Sequence, residues 1–225
     1  MHCDVQIFDW LMKYISAHDK RKSAKLKETA PASDFEAKYP IPNLDSNNVI
    51  SILISSDFLR MEGLVEECVT YVSKHLSEIV RLPIDMNCIN TQLLKKIASK
   101  VDADGLDQIR DRRGKLMSKL FMKKLELLLE EDNGVSSQLY RCAYCGKLFT
   151  LEQREWMQCK KARIFIDFHG GVIAKHVVDR SWEINKFISF IREKYHLSWR
   201  RIFWKIWSYT VTMDCSHCEK KFTAA

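Results

Sequence analysis

The sequence predicts a mainly α-helical fold that is followed by a small α+β domain. The chain has 225 residues but only 7 Gly and 4 Pro, a composition that favours regular structure. Apolar residues recur at helical spacing over much of residues 1–130. Beyond that point two C-x-x-C motifs appear, and five of the six Trp follow residue 155. We therefore expect the C-terminal part to have a core of a different kind.

The N-terminal segment predicts one helix and then a loop. Apolar side chains at positions 7, 10, 11, 14 and 15 form one stripe, which indicates a helix that ends near Ser16. Residues 17–42 carry Lys, Ala, Ser and Pro in irregular order and few large apolar residues. Such a segment is typical of a mobile loop.

Further helices are expected up to residue 132. The pattern predicts a helix through Ile54, a break near Ser56 and a second helix from Leu64 to Leu76. Together with the N-terminal helix, these form a first predicted domain over residues 1–82. Residues 83–132 predict a helical extension of two or three helices, interrupted at residues 102–105. The apolar stripe from Val49 to Leu76 predicts a helical core. A surface for binding a partner is only the secondary interpretation of this stripe.

Two copies of one short pattern give the clearest chemical signal. The pairs Cys142/Cys145 and Cys215/Cys218 have the same spacing, and each is followed by Lys-x-Phe-Thr at the same offsets. Two C-x-x-C units can supply four thiolates to one tetrahedral zinc ion. The sequence therefore predicts one structural zinc held by these four cysteines, in a domain over residues 138–225. The shared Lys-x-Phe-Thr also predicts that both half-sites use the same supporting turn.

Other uses of these cysteines are weaker alternatives. A redox C-x-x-C motif does not explain a second copy, and disulfides need an oxidising compartment, for which no signal peptide is visible. We expect Cys159, His169, His176 and His217 to be packed or solvated rather than ligands. Four thiolates leave no open position on the metal, and no nucleophile elbow or phosphate-binding Gly loop is present. An enzyme is not expected.

The residues between the two pairs predict a hairpin and two helices. Residues 163–168 form one expected strand, Gly170-Gly171 the turn, and Val172 to Val178 the partner strand. Residues 184–195 and 199–207 have helical stripes, and residues 209–212 suggest a short strand that enters the second pair.

One predicted helix has a strongly basic face. Lys and Arg exceed Asp and Glu by 36 to 29, and the net charge is +7. The candidate nucleic-acid contacts on this face are Arg110, Arg112, Arg113, Lys115, Lys119 and Lys123. A solvated basic face is the favoured interpretation, because phosphate binding needs a clustered patch. No apolar run reaches the length of a membrane span, so no membrane contact is expected.

Several segments together resemble a known family. Residues 52–72 contain Leu59-Arg60-Met61-Glu62-Gly63-Leu64, an L-x-M-x-x-L phrase between two helices that is typical of the C-terminal half of a BTB/POZ domain. Six further segments make the resemblance specific to one family within the BTB proteins. They are residues 2–14, 48–56, 86–90, 118–121, 139–142 and 198–200. The chain is similar to the SANT and BTB domain regulator of class switch recombination, from residue 2 to about residue 222. The SANT domain and the first half of the BTB domain are not recognised in this sequence.

The resemblance implies a protein-interaction function. Members of that family are nuclear regulators that restrain antibody class switching, and their BTB domain forms a homodimer. The resemblance thus implies regulation of transcription in the nucleus and protein partners at the BTB-like helices. Because the first half of the BTB domain is not recognised, self-association is expected less firmly than for the family. Two other hypotheses stay open, a nucleic-acid-binding zinc protein and a substrate adaptor for a cullin-type ubiquitin ligase.

Overall fold

The chain forms two compact units in a computed structural model, which describes residues 4–25, 40–111, 115–130 and 138–225. The first unit is residues 1–113 and the second is residues 114–225. The boundary falls inside the extension predicted for residues 83–132, and the division into three domains stays a prediction. None of the helices in these described ranges is both long enough and apolar enough to span a bilayer.

All of the secondary-structure elements described in the first unit are helical. Its elements are α1 (Val5–Lys25), α2 (Val49–Phe58), α3 (Glu62–Ile79), a 3-10 turn (Met86–Cys88), α4 (Thr91–Lys100) and α5 (Ala103–Gln108). α2 and α4 both pack against α3. Ile52, Leu53, Cys68, Val69 and Ile97 are almost fully buried between these helices, which confirms that the apolar stripe from Val49 to Leu76 is a core.

Two boundaries in this unit differ from the sequence-based expectation. α1 continues to Lys25, so residues 17–25 are helical and not part of a loop. Ala17 is buried, and the Tyr14 ring stacks on His18, which extends the packed face past Ser16. Residues 26–39 lie outside the described residues. Residues 102–105 were expected only to interrupt a helix, but Asp102 is the N-cap of α5. Its carboxylate accepts hydrogen bonds from the Asp104 and Gly105 amides.

The described residues of the second unit form four helices and three small hairpins. Its elements are α6 (Lys115–Leu129), β1 (Tyr140–Arg141), β2 (Leu148–Phe149), α7 (Leu151–Trp156), β3 (Phe165–Ile166), β4 (Val172–Ile173), α8 (Ile184–Tyr195), α9 (Trp199–Thr210), β5 (Thr212–Asp214) and β6 (Lys221–Thr223). Three antiparallel pairs form, β1–β2, β3–β4 and β5–β6. α6 packs against α9, where the Phe121 and Phe203 rings lie 5.7 Å apart. This confirms the α+β character of the C-terminal part.

The predicted hairpin and helices are present with shifted ends. The strands expected at residues 163–168 and 172–178 shorten to β3 and β4, and the hairpin exposes Phe168 almost completely. α9 runs three residues beyond the expected end, because the Val211 amide still donates to the Trp207 carbonyl (3.1 Å). The strand expected at residues 209–212 therefore begins only at Thr212.

Candidate metal centre

Four metal-ligand side chains meet in the second unit. The Sγ atoms of Cys142, Cys145 and Cys159 and a ring nitrogen of His176 all lie within 4.8 Å of one another. Cys142 Sγ is 3.8 Å from Cys159 Sγ, and Cys145 Sγ is 3.5 Å from His176 Nδ1. Around a tetrahedral zinc with Zn–S bonds of about 2.3 Å and a Zn–N bond of about 2.1 Å, S–S separations are about 3.8 Å and S–N separations about 3.6 Å. The donor set fits a tetrahedral zinc ion.

A tight hairpin, the first knuckle (residues 140–149), presents two of the thiols. β1 pairs with β2, with Tyr140 opposite Phe149. The Cys142 amide donates to the Lys147 carbonyl (2.8 Å), and the Gly146 amide donates back to the Cys142 carbonyl (2.9 Å). Gly146 has φ 73°, a left-handed conformation that glycine adopts without a Cβ penalty. This turn places Cys142 and Cys145 side by side.

The other two ligands arrive through backbone pairing with this hairpin. The segment 174–179 lies alongside the first knuckle, where the Ala143 amide donates to Val177 (2.9 Å) and the Asp179 amide donates to Arg141 (2.8 Å). The Cys159 amide donates to the Ala174 carbonyl (2.6 Å). Three separate stretches of chain are thus joined at one point, which brings Cys159 and His176 to the first cysteine pair.

The centre is buried, and its charge is stabilised by hydrogen bonds. Cys142, Cys159 and His176 are 2%, 1% and 1% exposed, and the Phe149 ring stacks on His176 at 5.1 Å. Burial raises the pKa of Cys142, but donors from the Cys145 amide and the His176 ring outweigh it and bring the pKa to about 6. Burial and the neighbouring Cys142 and Cys159 side chains raise the pKa of Cys145. A thiolate, the form that binds metal, is therefore favoured at Cys142.

The second cysteine pair lies in a hairpin of the same design, the second knuckle (residues 212–223). The Cys215 amide donates to the Lys220 carbonyl (3.0 Å), and the Glu219 amide donates to the Cys215 carbonyl (2.9 Å). Met213 pairs with Phe222 as Tyr140 pairs with Phe149, and Glu219 has φ 56° where Gly146 has 73°. The prediction that both pairs use one supporting turn is confirmed.

The ligands that the structure brings together are only partly the predicted ones. Cys142 and Cys145 lie with Cys159 and His176, whereas among the described residues Cys215 and Cys218 belong to no group of three or more metal-ligand side chains. The zinc set of Cys142, Cys145, Cys215 and Cys218 stays a prediction that this geometry does not favour.

The sequence signal for the two additional ligands was weak. Cys159 and His176 were expected to be packed or solvated, because neither belongs to a repeated motif. Their placement depends on the β3–β4 hairpin, which reverses the chain between them and so allows both to reach the first knuckle. His169 and His217 are exposed, as expected.

The predicted basic face is divided between the two units. α5 ends at Gln108 and α6 begins at Lys115, so Arg110 and Lys119 do not share a helix. Lys123 is only 6% exposed, and its Nζ bonds both Glu126 carboxylate oxygens (2.9 and 2.6 Å). Lys123 is thus committed to an ion pair in the protein. Arg112, Arg113 and the Lys115 side chain lie outside the described residues.

Comparison with known families confirms the resemblance for the N-terminal part. Residues 1–69 match the family model described as the BTB domain of the SANT and BTB domain regulator of CSR. No solved structure matches the chain.

Proposed function

We propose that this chain, whose residues 1–69 match the BTB domain of the SANT and BTB domain regulator of CSR, is a non-enzymatic regulator that acts by binding other proteins. That match is the observation that carries the proposal. BTB domains are typically interaction domains without catalytic activity. By the same likeness, the proposed setting is the nucleus, and the proposed effect is to restrain immunoglobulin class switch recombination.

A surface of α1 supports a protein contact within the matched region. Leu11, Tyr14 and Ala17 face the core of the first unit. On the opposite side Val5, Phe8, Met12 and Ile15 are 80%, 57%, 50% and 37% exposed. These four, the α1 stripe, recur at spacings of three and four residues and so lie on one face of the helix. An exposed apolar stripe with this spacing is typical of a helix that packs against another protein.

Class switching in cultured B cells tests this function. Cells that express the full chain should switch less often than cells with an empty vector, and the chain should be found in the nuclear fraction. The double variant Phe8→Ser, Met12→Ser should lose the effect, since it removes half of the α1 stripe. Gln6→Ala, an exposed polar change on the same helix, serves as the matched control. Unchanged switching with nuclear wild-type protein would refute the regulatory function.

We also propose that Cys142, Cys145, Cys159 and His176 hold one structural zinc ion. The donor spacing and burial described above support this set. When bound, zinc would supply four bonds that connect the first knuckle, Cys159 in the loop after α7 and the segment 174–179. All four positions are filled by protein, which is typical of a structural site and leaves no position for a substrate.

Zinc analysis of purified variants decides between the two ligand sets. With Cys159→Ser or His176→Ala, the zinc of the first knuckle should be lost, whereas Cys218→Ser should leave it in place. Cys88→Ser, an exposed cysteine in the first unit, controls for loss of a thiol as such. The opposite result, with zinc lost from Cys218→Ser and kept by Cys159→Ser, would establish the four-cysteine set instead.

A second candidate function, contact with nucleic acid, has one favourable observation. In the first unit Lys74, Arg81, Lys100 and Arg110 line an open groove of about 1010 Å³. Lys100 also pairs with Glu66 and donates to Thr70. Clustered cations attract phosphates, and such binding weakens steeply with salt.

The groove gives a direct test of this second function. Random-sequence DNA should bind at low salt, and Arg110→Ala should weaken the binding and lower its salt dependence. Arg180→Ala, an exposed arginine in the second unit, is the control. Absence of binding at low salt, or an equal loss with both variants, would exclude the groove as a nucleic-acid site.

A further inference from the structure

The second knuckle has the hairpin geometry of half a metal site. It has the backbone of the first knuckle, whose thiols join a complete donor set. Cys215 is half-buried and Cys218 is exposed, so both thiols can be reached from solvent. A knuckle of this kind offers two of the four ligands that zinc requires.

The missing two ligands do not come from the described part of this chain. Cys159 and His176, the residues that complete the first knuckle, are already used there. His217 is exposed within the turn itself. Among the described residues, no third Cys, His, Asp or Glu side chain joins Cys215 and Cys218 in a group of ligands. The described part of this chain therefore supplies only two of the four ligands that a zinc ion requires at the second knuckle.

We propose that the second knuckle binds a zinc ion shared between two copies of this chain, each of which contributes Cys215 and Cys218. A twofold axis through the metal would present the same pair of thiolates twice and give a tetrahedral four-cysteine site. Each cysteine pair already has the local geometry of a half-site, so the two copies need only approach each other. Four protein ligands make this second site structural as well.

The surface around the second knuckle suits contact with its own copy. Asp214 and Glu219 balance Lys220 and Lys221, so two copies do not meet as like charges. Phe222 lies on β6 beside the cysteines and is 45% exposed, which offers an apolar contact next to the metal. The Lys221 ammonium nitrogen also lies 3.8 Å from a Glu152 carboxylate oxygen, which offsets part of its charge.

The number of zinc ions per chain tests this proposal independently of the interaction function. One internal ion and one shared ion give about 1.5 zinc per chain at saturation. The double variant Cys215→Ser, Cys218→Ser should hold about 1.0, because only the internal site remains. Cys88→Ser should stay at about 1.5 and controls for thiol loss. Values of about 1.0 or about 2.0 for the wild-type chain would overturn the shared site.

Zinc-dependent association provides the second readout. Sedimentation is measured on the full chain with Phe8→Ser and Met12→Ser, which removes the α1 stripe as another route to association. Zinc added beyond one equivalent should convert monomer to dimer, and dilution should reverse this by mass action. Adding Cys215→Ser and Cys218→Ser should abolish the dimer. A mass that does not respond to zinc, or a dimer that survives these changes, would overturn the proposal.

Discussion

The two knuckles share one backbone design but differ in what surrounds them. In both, the first cysteine amide donates to a lysine carbonyl and a left-handed residue closes the turn. Around the first knuckle, Cys159 and His176 fill the remaining positions and bury Cys142 to 2% exposure. Around the second, Cys218 stays exposed. A short motif therefore determines a half-site, whereas a complete site depends on segments that are distant in sequence.

The largest contrast should appear when the leading cysteine of each knuckle is replaced. Cys142→Ser removes a zinc ligand, and zinc binding is worth about 10 kcal/mol or more in zinc-finger peptides. That exceeds most of the roughly 5–15 kcal/mol by which a domain is stable, so the second unit should unfold. Cys215→Ser in dilute protein should cost less than about 1 kcal/mol, because Cys215 is only half-buried and belongs to no complete set of ligands among the described residues.

Tryptophan fluorescence during urea unfolding measures this contrast. Five of the six Trp lie in the second unit, and only Trp10 lies in the first. Far-UV circular dichroism should show that Cys142→Ser keeps the helices of the first unit. Equal destabilisation by the two substitutions would mean that both cysteines bind one internal zinc, as the four-cysteine set requires.

Gln153 should give the next largest effect, because it connects the first knuckle to the segment that leads into the second. Gln153 is fully buried, and it forms a capping box with Thr150 at the start of α7. Its side-chain amide also donates to the Tyr209 carbonyl (2.9 Å) at the end of α9. Gln153→Ala leaves the Thr150 amide and the Tyr209 carbonyl without this partner, at a cost of about 2–3 kcal/mol.

The control for Gln153 is Glu152→Ala, an exposed change in the same turn of α7. It should change the free energy of unfolding by less than about 0.5 kcal/mol. A Gln153→Ala chain as stable as wild type would show that the hydrogen bonds to α9 contribute nothing to the second unit.

Thiol labelling should be at least about tenfold faster at the second knuckle than at the first, because burial and metal protect only the thiols of the first knuckle. With one zinc per chain, iodoacetamide should modify Cys215 and Cys218 long before Cys142 and Cys159, as measured by peptide mass spectrometry. The Cys218 and His217 amides lower the pKa of Cys215. As pH falls, its labelling should therefore persist below the range of a model cysteine peptide. Similar rates at Cys142 and Cys215 would contradict the assigned ligand set.

Local patterns predicted most of the fold. Helical stripes identified the cores of α2, α3, α8 and α9, and the repeated Lys-x-Phe-Thr predicted two matching turns. These features depend on interactions between residues close in sequence. The ends of α1 and α9 were missed because packing at Ala17 and the Val211–Trp207 hydrogen bond extend them beyond their stripes.

The candidate site was predicted only in part, for a physical reason. Cys142 and Cys145 are fixed by the turn that contains them, and that turn can be recognised from the sequence. Cys159 and His176 are fixed by backbone pairing of Ala174 and Val177 with other segments. Those pairings depend on the β3–β4 hairpin between them, whose register the sequence pattern indicates only loosely.

The smallest effect concerns the residue that closes each turn. Gly146 (φ 73°) can adopt the left-handed conformation freely, whereas Glu219 (φ 56°) adopts it with a Cβ. A Cβ at position 146 would meet Arg141 only at 3.7 Å, so Gly146→Ala adds backbone strain of about 1 kcal/mol without a clash. Glu219→Gly should relieve part of the same strain at the second knuckle, offset by the greater freedom of the unfolded chain.

Amide hydrogen exchange at the turn amides resolves these small changes. In Gly146→Ala, the amide at position 146, which donates to the Cys142 carbonyl, should exchange about fivefold faster. In Glu219→Gly, the amide at position 219, which donates to the Cys215 carbonyl, should exchange more slowly. Gly170→Ala is the matched control, because Gly170 has φ 82° in an exposed turn with nothing within 4 Å. If Glu219→Gly instead accelerates exchange, the Glu219 side chain contributes more to the second knuckle than its backbone strain costs. The two hairpins would then be stabilised differently despite their common hydrogen bonds.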